Sequence, residues 1–305
     1  MNLSSPSFAK INWCLKVQGK RGDGFHEVLT LLQSIDLSDL LRFELLSDSR
    51  IRLSLEGVPV AEGEDNLAVR AARLLQVKTG CRRGVRIHLD KRIPVGAGLG
   101  GGSSNAAVSL LALNALWELG LVYRELAEIA SELGSDVPFF LVGGMAIGWG
   151  RGERIIPLPP VEFAPDLLLI YPRFEVAAGF AYSRLKVGRS SELTAEEAET
   201  RIRPFHTAVA NGNWEALEND LEAAVLQEFP LLSALQRELR DVGCRKVLLC
   251  GSGSTLLALG SPESLDEAKK RCDRKNLGKA TFCNAISKDQ YARRLKRAGL
   301  SMPEN

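Results

Sequence analysis

Apolar and polar residues alternate strictly near the start of the chain, from Ala9 to Val17. Read with a period of two, the apolar face holds Ala9, Ile11, Trp13, Leu15 and Val17, and the polar face holds Lys10, Asn12, Cys14 and Lys16. The pattern predicts a β-strand on which Lys10 and Asn12 stand side by side, about 7 Å apart. Such a row is either a solvated face with extended lysine side chains or a pair of functional groups on a rigid element.

The hydrophobic pattern of the first half continues as a mixture of strands and helices. It predicts a strand over 85–89 and helices over 65–79, 104–119 and 123–133. The second helix is apolar almost all round, which indicates burial. The composition changes around residues 157–160, Pro-Leu-Pro-Pro, so we place a domain boundary there, with domains at 1–157 and 158–305.

The second half has a different order of elements. We predict strands over 167–171, 246–250, 255–259 and 280–286, with helices between 214 and 241 and over 265–275. That β-α-β-β-α-β order is typical of a ferredoxin-like domain. Gly251-Ser252-Gly253-Ser254 lies between two strands and is interpreted either as a hairpin turn or as part of a site.

A glycine-rich stretch from Pro94 to Ala107 lies between the 85–89 strand and the buried helix. Glycine lets backbone amides approach an anion closely, and a helix N-terminus favours negative charge, so the stretch predicts a phosphate-binding loop rather than a flexible linker. Gly96, Gly98 and Gly101 match the dinucleotide-binding fingerprint, but Glu118 lies inside the following helix instead of ending a second strand. Gly102 occupies the place of the Walker A lysine, so a lysine must come from elsewhere.

Two further segments carry candidate chemistry. Gly134 is the expected residue after the 123–133 helix, and Asp136 then precedes Val137-Pro138, so Asp136 is either a helix N-cap or a base for a bound alcohol. Phe25-His26 follows a glycine-rich turn over 19–24, and such a pair either packs in the core or stacks on a heterocycle and hydrogen-bonds its edge.

These blocks together resemble a known family. Ala9-Lys10-Ile11-Asn12, the 23–27 turn and the 34–39 segment, Ser-Ile-Asp-Leu-Ser-Asp, are similar to the N-terminal signature of 4-diphosphocytidyl-2-C-methyl-D-erythritol kinases. That family belongs to the galactokinase, homoserine kinase, mevalonate kinase and phosphomevalonate kinase (GHMP) superfamily. The 94–107, 134–153 and 251–254 motifs resemble its ATP loop, catalytic-aspartate region and late glycine motif, and the resemblance spans nearly the whole chain.

The resemblance implies an α+β, two-domain GHMP kinase fold, with an N-terminal domain like that of ribosomal protein S5 and a ferredoxin-like C-terminal domain. It implies ATP-dependent phosphorylation of a hydroxyl on a cytidine diphosphate-linked methylerythritol in the non-mevalonate isoprenoid pathway. Asp136 would take the hydroxyl proton, Lys10 would stabilise charge, and Mg²⁺ would lie near Ser103 or Ser104. The acceptor would be bound by Asn12, Phe25 and His26, with Phe180 or Tyr182 on the other face of the cytosine. The ATP phosphates would lie on Pro94, Val95, Gly96, Ala97, Gly98, Leu99, Gly100, Gly101, Gly102, Ser103 and Ser104.

The chain departs from the family pattern at four places. Phe8 stands where proline is usual, Trp13 where leucine is usual, and Phe25 where tyrosine is commoner. The segment 174–180 lacks the Ser or Thr often found after its valine. The first two changes need not touch chemistry, whereas the last two bear on substrate contacts.

Composition narrows the function classes. The 305 residues carry a net charge of +2 and no basic run with interleaved aromatics, so we expect a small-molecule substrate and no nucleic acid. Six cysteines without metal-ligand spacing, no export signal and no membrane-spanning apolar run predict a cytoplasmic protein without a membrane partner. Two alternatives remain open: another GHMP kinase of the mevalonate or homoserine type, and a non-catalytic nucleotide-binding protein.

Overall fold

A computed structural model describes residues 2–60, 63–161 and 165–302. Ten strands in this part of the chain form two sheets: β1 Asn2–Lys20, β2 His26–Leu46, β3 Ile51–Gly57, β4 Gly84–Lys91, β5 Met145–Gly150, β6 Arg154–Leu158, β7 Leu167–Tyr171, β8 Lys246–Leu249, β9 Leu256–Leu259 and β10 Lys279–Cys283. The α-helices in the same ranges are α1 Leu67–Thr79, α2 Gly101–Leu116, α3 Tyr123–Leu133, α4 Val137–Phe140, α5 Ala178–Ser183, α6 Ala195–Ala210, α7 Glu222–Glu228, α8 Pro230–Asp241, α9 Pro262–Lys275 and α10 Lys288–Arg297.

The first sheet is built around a long antiparallel hairpin of β1 and β2. Its strand order is β3–β4–β2–β5–β6, with β1 paired to β2 off that path. Helices α1 to α4 cover it, and α2 packs among them with most of its residues buried, as its all-round apolar character predicted. The helix begins at Gly101 rather than at residue 104, so the last glycines of the loop already belong to its first turn.

The second sheet confirms the predicted ferredoxin-like order. Its strands run β10–β7–β9–β8, all pairs being antiparallel, and α9 connects β9 to β10. Helices α5 to α8 fill the long connection from β7 to β8. The 251–254 segment is the turn between β8 and β9, so its interpretation as a hairpin turn is correct.

The strict alternation predicted for the first strand is wrong after Asn12. In the β1–β2 pairing Asn12 faces Leu32 and Cys14 faces Leu31, so Trp13 is an extra, bulged residue. A bulge exchanges the two faces of a strand, and Cys14 therefore packs in the same core cluster as Ile11, while Leu15 joins another. The side chains of Lys10 and Asn12 are buried, which excludes the solvated face.

The C-terminal segment returns to the first sheet. Tyr291 and Leu295 of α10 are fully buried in the same core cluster as α2, and the Tyr291 hydroxyl donates to the carbonyl oxygen of Phe140 at 2.7 Å. The boundary at 157/158 stays a prediction, since this final helix packs with the earlier half of the chain. Within the described residues no helix has the length and apolar character to cross a bilayer.

Candidate active site

A lysine and an aspartate from distant parts of the chain meet in a cleft with a volume of about 620 Å³. Lys10 on β1 places its Nζ 3.5 Å from Oδ2 of Asp136, which stands just before α4. The Lys10 side chain is 4% exposed and that of Asp136 is 38% exposed, so the carboxylate of Asp136 is accessible from the cleft while the ammonium of Lys10 is buried next to it. Asp136 occupies the N-cap position but makes no capping hydrogen bond, which leaves its oxygens free for other chemistry.

The orientation of Lys10 is fixed by a short buried chain of hydrogen bonds. Its Nζ donates to Oδ1 of Asn12 at 2.8 Å, the Asn12 amide donates to Oγ1 of Thr30 at 2.8 Å, and that hydroxyl donates to the Cys14 carbonyl at 2.7 Å. Because Lys10 and Asn12 precede the bulge, they still share one face, as predicted. The backbone amide of Lys10 also donates to the Leu99 carbonyl of the glycine-rich loop at 3.0 Å.

The glycine-rich loop needs its glycines for two different reasons. Gly96, Gly98 and Gly100 have positive φ angles of 59°, 76° and 69°, a region that other residues rarely adopt. At Gly98 a Cβ atom would in addition lie 1.9 Å from the carbonyl oxygen of Cys250, whereas at Gly102 it would meet only Leu67, at an ordinary 3.4 Å. Gly98 is therefore required by the contact between the loop and the second sheet, and Gly102 is not.

The loop separates two cavities that share part of its lining. The larger has a volume of about 620 Å³ and contains Lys10 and Asp136. The smaller has a volume of about 350 Å³ and is lined by residues 65–67 at the start of α1, by Lys91 and by the loop from Pro94 to Ser103. Gly98, Gly100 and Ser103 line both cavities, so a molecule in one can reach a molecule in the other across this part of the loop.

The far end of the larger cavity carries aromatic and cationic side chains. The rings of His26 and Tyr182 are stacked with centroids 5.2 Å apart, and the Arg151 guanidinium lies 5.0 Å from the centroid of Phe25. Phe25 is 51% exposed, which is unusual for a phenylalanine that only packs in a core. Burial and, to a smaller extent, the charge of Lys20 lower the pKa of His26 below its ordinary value of 6.5, which favours the neutral imidazole.

Two predicted site residues lie elsewhere. Phe180 packs edge-on against Phe229, with ring centroids 5.7 Å apart, and is absent from the cavity lining, so the geometry supports Tyr182 as the aromatic at this end. Ser104 is fully buried and its Oγ accepts a hydrogen bond from Ser7 Oγ at 2.7 Å, which leaves Ser103 as the serine that faces the cavities. The two serines differ in the direction that their side chains take from the first turn of the helix. That direction could not be predicted from the sequence alone.

The 251–254 turn is also part of the cleft, as the other interpretation proposed. A Cβ on Gly251 would lie 3.2 Å from Lys10 Nζ, and Gly251 and Ser252 line the larger cavity. Sequence reasoning missed Asn219, whose buried amide donates to the carbonyls of Leu249 and Gly251 at 2.8 and 2.7 Å and so holds the turn. Its only sequence signal is an asparagine between acidic residues, which is too common to be informative.

Comparison with known proteins decides the family. The sequence-family model of the GHMP kinase N-terminal domain matches residues 66–144, and the family model of the GHMP kinase C-terminal domain matches residues 205–278. The 4-diphosphocytidyl-2-C-methyl-D-erythritol kinase of Thermodesulfovibrio yellowstonii is 39% identical over 84% of this chain and 89% of its own length. This chain belongs to that kinase family. The corresponding enzyme of Pelotomaculum thermopropionicum is 40% identical over 85% of this chain and 89% of its own length.

Solved structures agree with this assignment and confirm the fold. A crystal structure of 4-(cytidine 5'-diphospho)-2C-methyl-D-erythritol kinase matches with a TM-score of 0.74 and 34% identity, over 93% of this chain and 99% of that one. A homoserine kinase from Cytophaga hutchinsonii matches with a TM-score of 0.68 at 20% identity, covering 94% of this chain and 95% of its own, which shows the fold alone. The chain is thus an ATP-dependent small-molecule kinase with the two-domain GHMP kinase fold.

Proposed function

We propose that this kinase transfers the γ-phosphoryl group of ATP to the 2-hydroxyl of 4-diphosphocytidyl-2-C-methyl-D-erythritol, a step of the non-mevalonate isoprenoid pathway. The observation that carries the proposal is the Lys10–Asp136 pair, which lies 3.5 Å apart in the cavity that adjoins the glycine-rich loop. The acceptor is inferred from the names of the relatives at 39–40% identity, and the aromatic side chains at one end of the cavity are suited to binding a nucleobase.

Asp136 is the residue that accepts the proton of the acceptor hydroxyl. As the proton moves to its carboxylate, the hydroxyl oxygen bonds to the γ-phosphorus, and the bond from that phosphorus to the bridging oxygen of ADP breaks. Lys10 keeps its ammonium beside both the carboxylate and the incoming oxygen, where it stabilises the negative charge that develops. Because Asn12 holds Lys10 in place, that charge is positioned before the substrates bind.

The loop from Pro94 to Ser104 binds ATP, with the nucleoside in the smaller cavity and the phosphates over the N-terminus of α2. The free amides of a helix N-terminus and the helix dipole both favour a polyphosphate. Mg²⁺ accompanies ATP and neutralises charge on its phosphates when bound. The described residues contain no cluster of three acidic, histidine or cysteine ligands, so we assign the ion to the phosphates together with the Ser103 hydroxyl.

The cytidine of the acceptor binds at the opposite end of the larger cavity. Phe25 and Tyr182 supply aromatic faces, and the neutral imidazole of His26 supplies one donor and one acceptor for the edge of a cytosine. In this arrangement the base would insert beside the rings of His26 and Tyr182, which now stack on each other. The methylerythritol then extends toward Asp136.

An acceptor panel tests the proposal. ADP release is measured with 4-diphosphocytidyl-2-C-methyl-D-erythritol, with the same polyol phosphate lacking cytidine, and with mevalonate and homoserine. We expect turnover with the first acceptor and at least about a hundredfold lower kcat/KM for the others, since base stacking contributes about 1–3 kcal/mol and edge hydrogen bonds add to it. Equal turnover of mevalonate or homoserine would favour the related-kinase alternative. ATP binding without turnover of any acceptor would favour the non-catalytic one.

A further inference from the structure

The segment over residues 34–39 ends in Asp39, whose side chain does not line the cleft, so the reaction itself gives this residue no role. Asp39 lies on β2 with a side chain that is 0% exposed. Its two oxygens nevertheless accept four hydrogen bonds, from Lys91 Nζ at 2.5 Å, Arg92 N at 2.7 Å, Ile93 N at 2.8 Å and Asn105 Nδ2 at 2.9 Å.

These four donors flank the phosphate loop on both sides. The amides of Arg92 and Ile93 immediately precede Pro94, where the loop begins. Asn105 lies in the first turns of α2, just after Ser104, where the loop ends. One buried carboxylate therefore bonds to the entry and to the exit of the loop at once.

Ser7 completes the arrangement from the neighbouring strand. It is the direct partner of Asp39 in the β1–β2 pairing and is likewise fully buried. Its hydroxyl donates to Ser104 Oγ at 2.7 Å and accepts from Asn105 Nδ2 at 2.9 Å. Ser7 thus binds the exit of the loop twice, in addition to the bond between Asp39 and Asn105.

We propose that Asp39 and Ser7 are positioning residues for ATP: together they hold the two ends of the phosphate loop at the separation that the bound phosphates need. Neither side chain lines the two cavities beside the loop, so any effect on ATP must pass through the groups that they hold: the ends of the loop, and the Lys91 and Asn105 side chains that line the smaller cavity next to it. Preorganised donors bind an anion without a further ordering cost, and loss of that order weakens binding at the loop alone. The inference rests on the proposed role of the loop as the ATP site.

Asp39→Asn is the most selective variant. Its remaining oxygen keeps the two backbone bonds from Arg92 and Ile93, but its new amide faces the Lys91 ammonium and the Asn105 amide, which are both donors. We expect the KM for ATP to rise about tenfold or more while the acceptor KM changes less than about twofold, because small displacements of positioned groups are costly. Ser7→Ala should act in the same direction by about threefold, since it removes neutral hydrogen bonds only.

Asn114→Ala is the matched control, because this asparagine lies near the far end of α2 from the loop and, like Ser7, makes two side-chain hydrogen bonds, both to Leu121. It should lower the melting temperature and leave both KM values unchanged. Equal increases of both KM values in Asp39→Asn, or a lower melting temperature with an unchanged KM for ATP, would overturn the proposal. If Asp39→Asn does not fold, an unchanged KM for ATP in Ser7→Ala overturns it.

Amide hydrogen exchange separates this inference from the function on which it rests. In the parent protein, ATP should slow exchange over residues 94–104; if it does not, the loop is not the ATP site. If ATP does slow it, the nucleotide-free Asp39→Asn and Ser7→Ala variants should exchange faster than the parent over the same residues. Exchange equal to the parent in both variants would leave the loop as the ATP site and refute the positioning role.

Discussion

Replacement of Asp136 by asparagine should separate the chemistry of the site from the stability of the fold. The side chain is 38% exposed and makes no capping hydrogen bond, and its ion pair with Lys10 is 3.5 Å long. A partly exposed pair of this kind contributes at most about 1 kcal/mol, and a loss of that size lowers the melting temperature of a chain this long by only about 2–4 °C. Asparagine also keeps the shape of aspartate.

The catalytic cost should be much larger. Loss of a general base lowers the rate by about 10²–10⁴-fold, which corresponds to about 3–5 kcal/mol in the activation barrier. We therefore expect kcat to fall by that factor, while ATP affinity measured by calorimetry and the melting temperature stay close to those of the parent. ADP release at saturating concentrations of both substrates gives kcat directly.

Glu132→Gln is the matched control for this prediction. Glu132 lies at the end of α3, close to Asp136 in sequence, and pairs with Lys78 at 2.6 Å on the protein surface. Its replacement removes a carboxylate of similar exposure and should leave kcat unchanged. If Asp136→Asn retains kcat within about fivefold of the parent, Asp136 does not take the proton and the reasoning is refuted.

Three further predictions concern the loop and the acceptor end. Gly98→Ala should destabilise the protein and weaken ATP binding, because its Cβ atom would clash with the backbone at Cys250, whereas Gly102→Ala should bind ATP like the parent. Calorimetry and thermal melting compare the two variants. Equal behaviour of the two would contradict the contact between Gly98 and Cys250. Phe25→Ala should raise the acceptor KM about ten- to a hundredfold without changing the KM for ATP, and an unmoved acceptor KM would exclude stacking on the base. The acceptor KM should stay constant as the pH falls to about 6.5, the ordinary pKa of histidine, and should rise only below that pH. The reason is that the lowered pKa of His26 keeps its imidazole neutral to more acidic pH. A rise in the acceptor KM that begins above pH 6.5 would contradict the assignment of His26 to the cytosine edge.

Local patterns were sufficient to predict most of the elements. The 123–133 helix has the predicted bounds, and the β-α-β-β-α-β order of the second half is confirmed, because periodicity and helix-stop signals act over a few residues. The pairing of Lys10 with Asn12 on one face was predictable for the same reason. A bulge depends on the partner strand rather than on the strand itself, so the change of face at Trp13 was not visible.

Tertiary contacts account for what the sequence left open at the site. Phe180 and Tyr182 are two residues apart and both aromatic, and they are distinguished by their packing: Phe180 lies against Phe229, whereas Tyr182 stacks on His26 and lines the cavity. Asp39 and Asn219 bond to partners more than 25 residues away, so a short motif could not indicate these contacts. The position of Asp136 near a helix start was predicted, but whether its oxygens cap that helix is a matter of side-chain direction.

The identity of the product decides whether this kinase catalyses the proposed reaction. The parent protein is incubated with ATP and 4-diphosphocytidyl-2-C-methyl-D-erythritol, and the product is examined by phosphorus NMR. We expect one new phosphomonoester, on the 2-hydroxyl, formed in equal amount with ADP and formed far more slowly when Lys10 or Asp136 is replaced. A phosphoryl group on another hydroxyl, ADP release without a phosphorylated acceptor, or equally fast phosphorylation of the polyol without its cytidine would contradict it.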